Sequence, residues 1–95
     1  MVNIKQSDDT KHGTFEIFDA DVKAGEMAYT WAGDSMLIID HTDVEDQFRG
    51  QGIGRQLLDA LVAFASEREI KVIPLCPFSK SVFDKDQSIH DVLKV

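Results

Sequence analysis

Hydrophobic and polar residues alternate along the first half of the chain, in runs separated by turn residues. Three such runs cover residues 14–20, 26–32 and 36–44. In the second run Met27, Tyr29 and Trp31 share one side, a period of two residues that predicts strands with one buried face. The third run begins with apolar residues in succession, which indicates a strand covered on both faces. Because the turns at 21–25 and 33–35 are short, we predict an antiparallel meander of three strands.

The period changes after the glycine-rich segment 50–54. Apolar residues recur at helical spacing over about 53–68, with polar and charged residues between them, which predicts an amphipathic surface helix. The β-branched run 70–76 then predicts a fourth strand. Pro74 lacks a backbone N–H group, so it belongs at a sheet edge or where neighbouring strands diverge.

Beyond the fourth strand, residues 79–84 are predicted to form a last short helix, with Phe78, Val82 and Phe83 pointing inward. Residues 88–95 are expected to form a short docked tail. A meander, a β-α-β crossover and a short C-terminal helix together make an α+β (mixed α/β) fold. The 95 residues fit a single domain.

Composition and charge restrict the class of protein. The chain is 43% hydrophobic and 28% charged, as globular proteins are, and no apolar run approaches the roughly 18 residues that span a bilayer. The first residues lack the apolar core of a signal peptide, so we expect a cytoplasmic protein with no membrane partner. The net charge of −7 argues against nucleic acid as a partner, since Lys and Arg bind its phosphates. We expect a monomer or a weak homodimer.

Glycines alternate at positions 50, 52 and 54, between the end of the third strand and the start of the helix. Glycine permits positive φ and close approach of a ligand to the backbone, and a helix start presents unpaired N–H groups to an anion. Arg49 and Arg55 add positive charge, so the segment predicts a pyrophosphate site. It fits neither the G-x-G-x-x-G dinucleotide fingerprint nor the Gly-Lys-Ser/Thr ending of the NTPase loop. A tight turn that binds nothing is the alternative.

The segment 44–54 resembles motif A of the GNAT superfamily of N-acetyltransferases, whose core is Arg/Gln-x-x-Gly-x-Gly/Ala. Asp-His-Thr at 40–42 and Leu-Cys-Pro-Phe at 75–78 are similar to segments of the very small, stand-alone GNAT-like proteins. This resemblance implies a minimal GNAT-like fold in which loop amides hold the pyrophosphate of acetyl-CoA. The cofactor-binding residues that it implies are Val44, Arg49, Gly50, Gln51, Gly52, Ile53, Gly54 and Arg55.

The sequence departs from that family in two ways that leave the acceptor amine open. Full-length GNAT proteins carry two further C-terminal strands that help to form the acceptor site, and the 95 residues contain no such strands. Small relatives also often carry an aromatic residue near the position of Ile89.

Two side chains are candidates for catalysis. A thiolate at Cys76 could accept an acetyl group and pass it on, although a free cysteine is commonly a small buried hydrophobe and Pro77 offers it no N–H group. His41 lies beside the loop, and histidine suits a general base, although a lone strand histidine is more commonly structural. Asp40 and Asp43 are expected to be solvated or capping groups. We expect no metal site, on the ground that no His, Cys or carboxylate pair has ligand spacing.

These features favour an acetyl-CoA-dependent N-acyltransferase that acts on a small amine or a protein amino group. A non-enzymatic CoA-binding or regulatory module would use the same loop without a complete acceptor site. A general phosphate-binding domain would use the glycines without thioester chemistry.

Overall fold

Five strands form one sheet in the computed structural model, which describes residues 2–94. They are β1 (Val2–Asp8), β2 (His12–Asp19), β3 (Val22–Trp31), β4 (Met36–Val44) and β5 (Lys71–Pro74), and they lie across the sheet in that order. The first four pair antiparallel and β5 pairs with β4 in parallel, so the predicted meander and crossover are confirmed.

Two α-helices complete the architecture, with a short 3-10 helix near each. They are α1 (Ile53–Glu67) and α2 (Pro77–Lys85), with 3-10 helices at Asp46–Phe48 and Gln87–Val92. The predicted tail falls partly on the second 3-10 helix, while Met1 and Val95 lie outside the described residues. No helix among residues 2–94 is long and apolar enough to cross a membrane.

The sequence pattern does not predict β1, which is an edge strand. Its side chains are exposed except for a half-buried Ile4, so it shows almost no hydrophobic signal. Backbone pairing with β2 holds it in place. The carboxylates of Asp8 and Asp9 accept hydrogen bonds from the N–H groups of Thr10 and Lys11, at 2.7 and 2.9 Å, and so fix the hairpin turn.

The turn before β3 is tighter than predicted. It consists of Ala20 and Asp21, both at positive φ (50° and 71°), and β3 already begins at Val22. Positive φ at both central residues matches the twist of a hairpin, but here neither residue is glycine, so the usual signal is missing. Gly25 lies inside the strand instead, because a Cβ there would come within 2.7 Å of the Asp43 carbonyl oxygen.

Helix α1 packs on one face of the sheet, and the core lies between them. We call this the inner face. The fully buried side chains on both sides of this interface include Ile17, Met27, Tyr29, Leu37, Ile39, Leu57, Leu58 and Leu61. The opposite face, here called the open face, is covered by no helix of the described residues, and it carries mainly polar and charged side chains.

Gly13 is expected to be essential for packing around Tyr29. A Cβ at this position would lie 2.2 Å from Cζ of Tyr29, whose buried hydroxyl donates to Asp8 at 2.6 Å. Gly13→Ala should therefore lower the free energy of unfolding by about 1–3 kcal/mol, the usual cost of overpacking, as measured by urea denaturation. Thr14→Ala, on the opposite side of β2, should cost less than about 1 kcal/mol. Equal stability of the Gly13 variant and the wild type would contradict this packing.

Candidate functional site

The site is built where β4 and β5 separate. Their pairing ends at Ile39 and Pro74, and the N–H groups of Leu75 and Cys76 both reach the Ile39 carbonyl oxygen at 3.2 Å. Strand β4 continues to its end at Val44 without a β5 partner among the described residues. The prediction that Pro74 lies at a divergence of strands is confirmed.

A β-bulge in β4 lies at the same point. Tyr29 pairs with Ile39 and Ala28 pairs with His41, so Asp40 is an extra residue in β4. Side chains alternate between the faces of a strand, and an extra residue reverses the alternation beyond it. As a result Thr42 faces the inner side, and His41 faces the open side.

The glycine-rich loop joins β4 to α1 by a backbone that side chains would strain. Gly50 and Gly52 have φ of 81° and 75°, and Gly52 is the N-cap of α1. A Cβ at either glycine would meet nothing within 4 Å, so the space beside the loop is open. Gly54 serves a different purpose, because a Cβ there would come 3.0 Å from the ring of Phe78.

A cavity of about 500 Å³ opens beside this loop. Its lining residues are Thr42, Val44, Phe48, Arg49, Gly50, Gly52, Ile53, Gly54 and Phe78. Six of the eight predicted cofactor-binding residues are among them; Gln51 and Arg55 do not line the cavity in the described part of the chain. Phe78 is 38% exposed, so the prediction that it points inward is wrong: its ring forms a wall of the cavity.

The two arginines that flank the loop differ in what they contact. Arg49 is exposed and its Nε lies 3.1 Å from Oδ1 of Asp46. The guanidinium of Arg55 binds Asp59 at 2.8 Å and Asp86 at 2.5 Å. Arg55 can therefore serve an anion mainly through its backbone N–H, which lies in the first turn of α1 and has no intrahelical partner.

Asp86 should make the free energy of unfolding depend on pH in the acidic range. Hydrogen bonds from the Ser88 hydroxyl, the Arg55 guanidinium and the Ser88 N–H lower the pKa of Asp86 from 3.8 to about 2. Because the pKa of Asp86 is lower in the folded protein than in the unfolded chain, its ionised carboxylate stabilises the fold at pH values above the unfolded pKa of 3.8. This stabilisation is lost as the pH falls through the folded pKa of about 2.

Asp86→Asn should therefore destabilise the fold above about pH 4 and match the wild type near pH 2, in chemical denaturation at a series of pH values. Ser88→Ala should show the same dependence with a smaller amplitude. A difference between Asp86→Asn and wild type that stays constant from pH 2 to 5 would contradict the assignment.

Cys76 is the N-cap of α2 rather than the end of a strand, which corrects the prediction for 70–76. It is 4% exposed, and Pro77 occupies the first helical position. Its Sγ accepts a hydrogen bond from the Ser79 N–H at 3.4 Å and lies 2.9 Å from the Ser79 hydroxyl. Thr42 Oγ1 lies 3.4 Å from the same sulfur. A sulfur at this position thus has three potential hydrogen-bond donors, although Pro77 provides none.

Sequence reasoning missed Thr42 and Ser79. The fully buried Ser79 could have been found from capping rules, because an N-cap side chain bonds the N–H three residues later. Thr42 has no such signal, since its contact with Cys76 joins residues far apart in the chain.

His41 does not lie with Cys76. It is half exposed on the open face, where its Nε2 is 3.7 Å from Glu26 Oε2 and 3.5 Å from Asp43 Oδ2. Glu26 also binds the Lys23 ammonium, and this hydrogen bond lowers the pKa of the Glu26 carboxyl. Three possible metal-ligand atoms converge here, an arrangement that spacing along the sequence does not indicate. The expectation of no metal site stays a prediction. Glu26 and Asp43 meet only through the pairing of β3 with β4.

Comparison with known proteins gives a family match over most of the chain. A family model described as GCN5-related N-acetyl-transferase matches residues 14–92. A GCN5-like protein of Staphylococcus aureus, solved by NMR, is similar in structure with a TM-score of 0.76 and 35% identity. That similarity covers 97% of this chain and 87% of the other.

Two further similarities are narrower. Protein NATD1 of Xenopus tropicalis is 34% identical over 50 residues, which are 53% of this chain and 46% of that protein. The chain thus spans about half the length of the curated relatives that it matches. The structure of AAC(6′)-Iy in complex with a bisubstrate analogue, CoA-S-monomethyl-acetylneamine, shares the fold with a TM-score of 0.64 at 13% identity, over 100% of this chain and 95% of that one.

Proposed function

The chain belongs to the GCN5-related N-acetyltransferase family, and on that premise we propose that it transfers the acetyl group of acetyl-CoA to an amine. The observation that carries the proposal is the cavity at the α1 N-terminus, which extends from the glycine loop to Thr42 at the separation of β4 and β5. Its one end suits an anion and its other end reaches Cys76 through Thr42.

The loop suits the pyrophosphate of CoA. The N–H groups of Ile53, Gly54 and Arg55 lie in the first turn of α1, at the positive end of the helix dipole. The open space at the Cβ positions of Gly50 and Gly52 lets a phosphate reach the backbone. Gln51 lies between these glycines and would take part through its backbone, as the sequence predicts.

The middle of the cavity suits the pantetheine arm. Beyond Ile39, β4 has no β5 partner in the described chain, so its peptide groups on that side can hydrogen-bond the amides of the arm. Phe48, Ile53 and Phe78 supply apolar lining for the arm. Val44 lies between the two ends and lines the same path.

Acetyl-CoA supplies an acyl group activated as a thioester, and the chain supplies groups on both faces of β4. On the inner side Thr42 lines the cavity and contacts the sulfur of Cys76. On the open side His41 can take a proton from an arriving amine at Nε2, which faces the carboxylates of Glu26 and Asp43. We thus assign Cys76, on the inner side of β4, the role of a nucleophile that could accept the acetyl group and pass it on. We assign His41, on the open side of β4, the role of general base.

A non-enzymatic CoA-binding module is the second candidate, and the burial of Cys76 favours it. At 4% exposure the sulfur lies behind Thr42 and does not line the cavity in the described chain. Such a module would bind CoA through the same loop and transfer nothing.

The cytoplasmic location and the monomeric or weakly dimeric state are further predictions from the sequence.

Thiol release separates the two candidates. The protein is incubated with acetyl-CoA and a panel of small amines and basic peptides, and free CoA thiol is followed with time. Transfer predicts that at least one amine accelerates thiol release over the rate without protein, with acetylated amine detected by mass spectrometry. CoA binding without acceleration by any amine would favour the module and contradict the enzyme.

A further inference from the structure

The open face carries a cluster of side chains that the fold does not need for packing. His41, Glu26 and Asp43 bring one ligand atom each to within 4.8 Å of one another. The side chains of His41 and Asp43 are 52% and 75% exposed, and that of Glu26 is 28% exposed. From the geometry of this cluster, we infer that it binds a divalent first-row transition metal, with Zn²⁺ as the representative ion.

The separations fit a shared metal better than direct hydrogen bonds. His41 Nε2 lies 3.7 Å from Glu26 Oε2 and 3.5 Å from Asp43 Oδ2, beyond the roughly 2.7–3.2 Å of N–H···O bonds. Zinc bonds of about 2.0–2.1 Å in a tetrahedron set ligand atoms about 3.3–3.4 Å apart. Both distances need to close by only a few tenths of an ångström, and the exposed Asp43 can rotate to complete the set.

The backbone holds the three ligands in position before a metal arrives. His41 and Asp43 are two residues apart on β4, so they share a face. Glu26 is the register partner of Asp43 on β3. Because one oxygen of Glu26 binds the Lys23 ammonium, the other is directed at His41. Partners of this kind orient metal ligands.

Charge and ligand type select the class of ion. Glu16 and Glu26 both bind the Lys23 ammonium, and Asp43 faces His41, so these three carboxylates and one ammonium leave two net negative charges when His41 is neutral. A divalent cation neutralises them. An imidazole with two carboxylates suits Zn²⁺ and its first-row neighbours, while Mg²⁺ and Ca²⁺ prefer oxygen ligands alone. The open face leaves the fourth coordination position to water.

Metal binding is tested on the untagged full chain by calorimetric titration with Zn²⁺ and by visible spectroscopy with Co²⁺. We expect one Zn²⁺ per chain, and Co²⁺ absorption bands of tetrahedral intensity. His41→Asn should weaken Zn²⁺ binding at least tenfold and remove the Co²⁺ absorption bands. Asp43→Asn should also weaken Zn²⁺ binding. Millimolar Mg²⁺ should not displace Zn²⁺.

His12→Asn is the matched control, because His12 is also a strand histidine, with its ring beside Thr30. This variant should bind Zn²⁺ as the wild type does. Three results would overturn the site: no Zn²⁺ uptake by the wild type, unchanged uptake by His41→Asn, or equal loss in His12→Asn. A metal on Nε2 prevents that nitrogen from accepting a proton, so His41 can act as a general base only in the metal-free protein. The binding test uses no acetyl-CoA, so a failure of Zn²⁺ uptake would leave the proposed acetyl transfer standing.

Discussion

Gly52→Glu is expected to weaken the binding of acetyl-CoA strongly. Gly52 is the N-cap of α1, and the space beside its Cβ position is open toward the cavity. A glutamate side chain would place a negative charge where the pyrophosphate binds. The displaced pyrophosphate would lose hydrogen bonds from the backbone N–H groups of the loop. Hydrogen bonds to charged groups contribute about 1.5–3 kcal/mol each, so the loss of two of them should weaken binding by about a hundredfold or more. Isothermal titration calorimetry measures the effect.

Gly33→Glu is the control for backbone strain and for added charge. Gly33 also has positive φ (93°) and open space at its Cβ position, but it lies in the turn before β4, at the other end of that strand from the loop. Gly33→Glu thus introduces the same backbone strain and the same charge about 25 Å from the glycine loop, a separation set by the length of β4. Gly33→Glu should bind acetyl-CoA as the wild type does. Retained affinity in Gly52→Glu would refute the assignment of the loop.

Cys76→Ala is expected to lower the rate of acetyl transfer about a hundredfold or more, with little change in the affinity for acetyl-CoA. The sulfur lies behind Thr42, outside the residues that would hold the pyrophosphate, so its loss should affect kcat rather than binding. The size follows the usual contribution of a positioned acid, base or nucleophile. Thiol release under saturating acetyl-CoA gives kcat, and calorimetry gives the affinity.

Two further measurements define what Cys76 does. Mass spectrometry after mixing with acetyl-CoA shows whether the sulfur itself carries an acetyl group. Ser79→Ala removes one hydroxyl beside the sulfur and keeps the thiol, so it should lower kcat less than Cys76→Ala does. An alanine variant of Cys76 as active as the wild type would reduce the cysteine to a packing and capping residue.

The elements with strong local signals were predictable from the sequence. Strand β4 has the predicted bounds, and α1 begins at Ile53 as predicted, because the change from period two to helical spacing coincides with the glycines. Strand β1 escaped prediction because an exposed edge strand, held by backbone pairing, needs few apolar side chains. The turn at 20–21 escaped because it uses positive φ without glycine.

Part of the candidate site was also predictable from the sequence, and part was not. The glycine loop is contiguous in sequence, so its pattern locates the anion end of the cavity. The separation of His41 from Cys76 depends on Asp40, whose insertion reverses the inward and outward alternation of β4. No local pattern reveals that bulge, and a regular strand would have placed His41 on the inner side. The Glu26 contact likewise depends on strand register, which a single sequence does not display.

The most direct test of the proposed function is calorimetric titration of the protein with acetyl-CoA, CoA and ATP. Backbone donors at the α1 N-terminus and a cavity that continues to Thr42 suit a pyrophosphate with a pantetheine arm. We therefore expect acetyl-CoA and CoA to bind at one site per chain, and ATP to bind at least tenfold more weakly. Tight binding of ATP without binding of CoA would contradict the account.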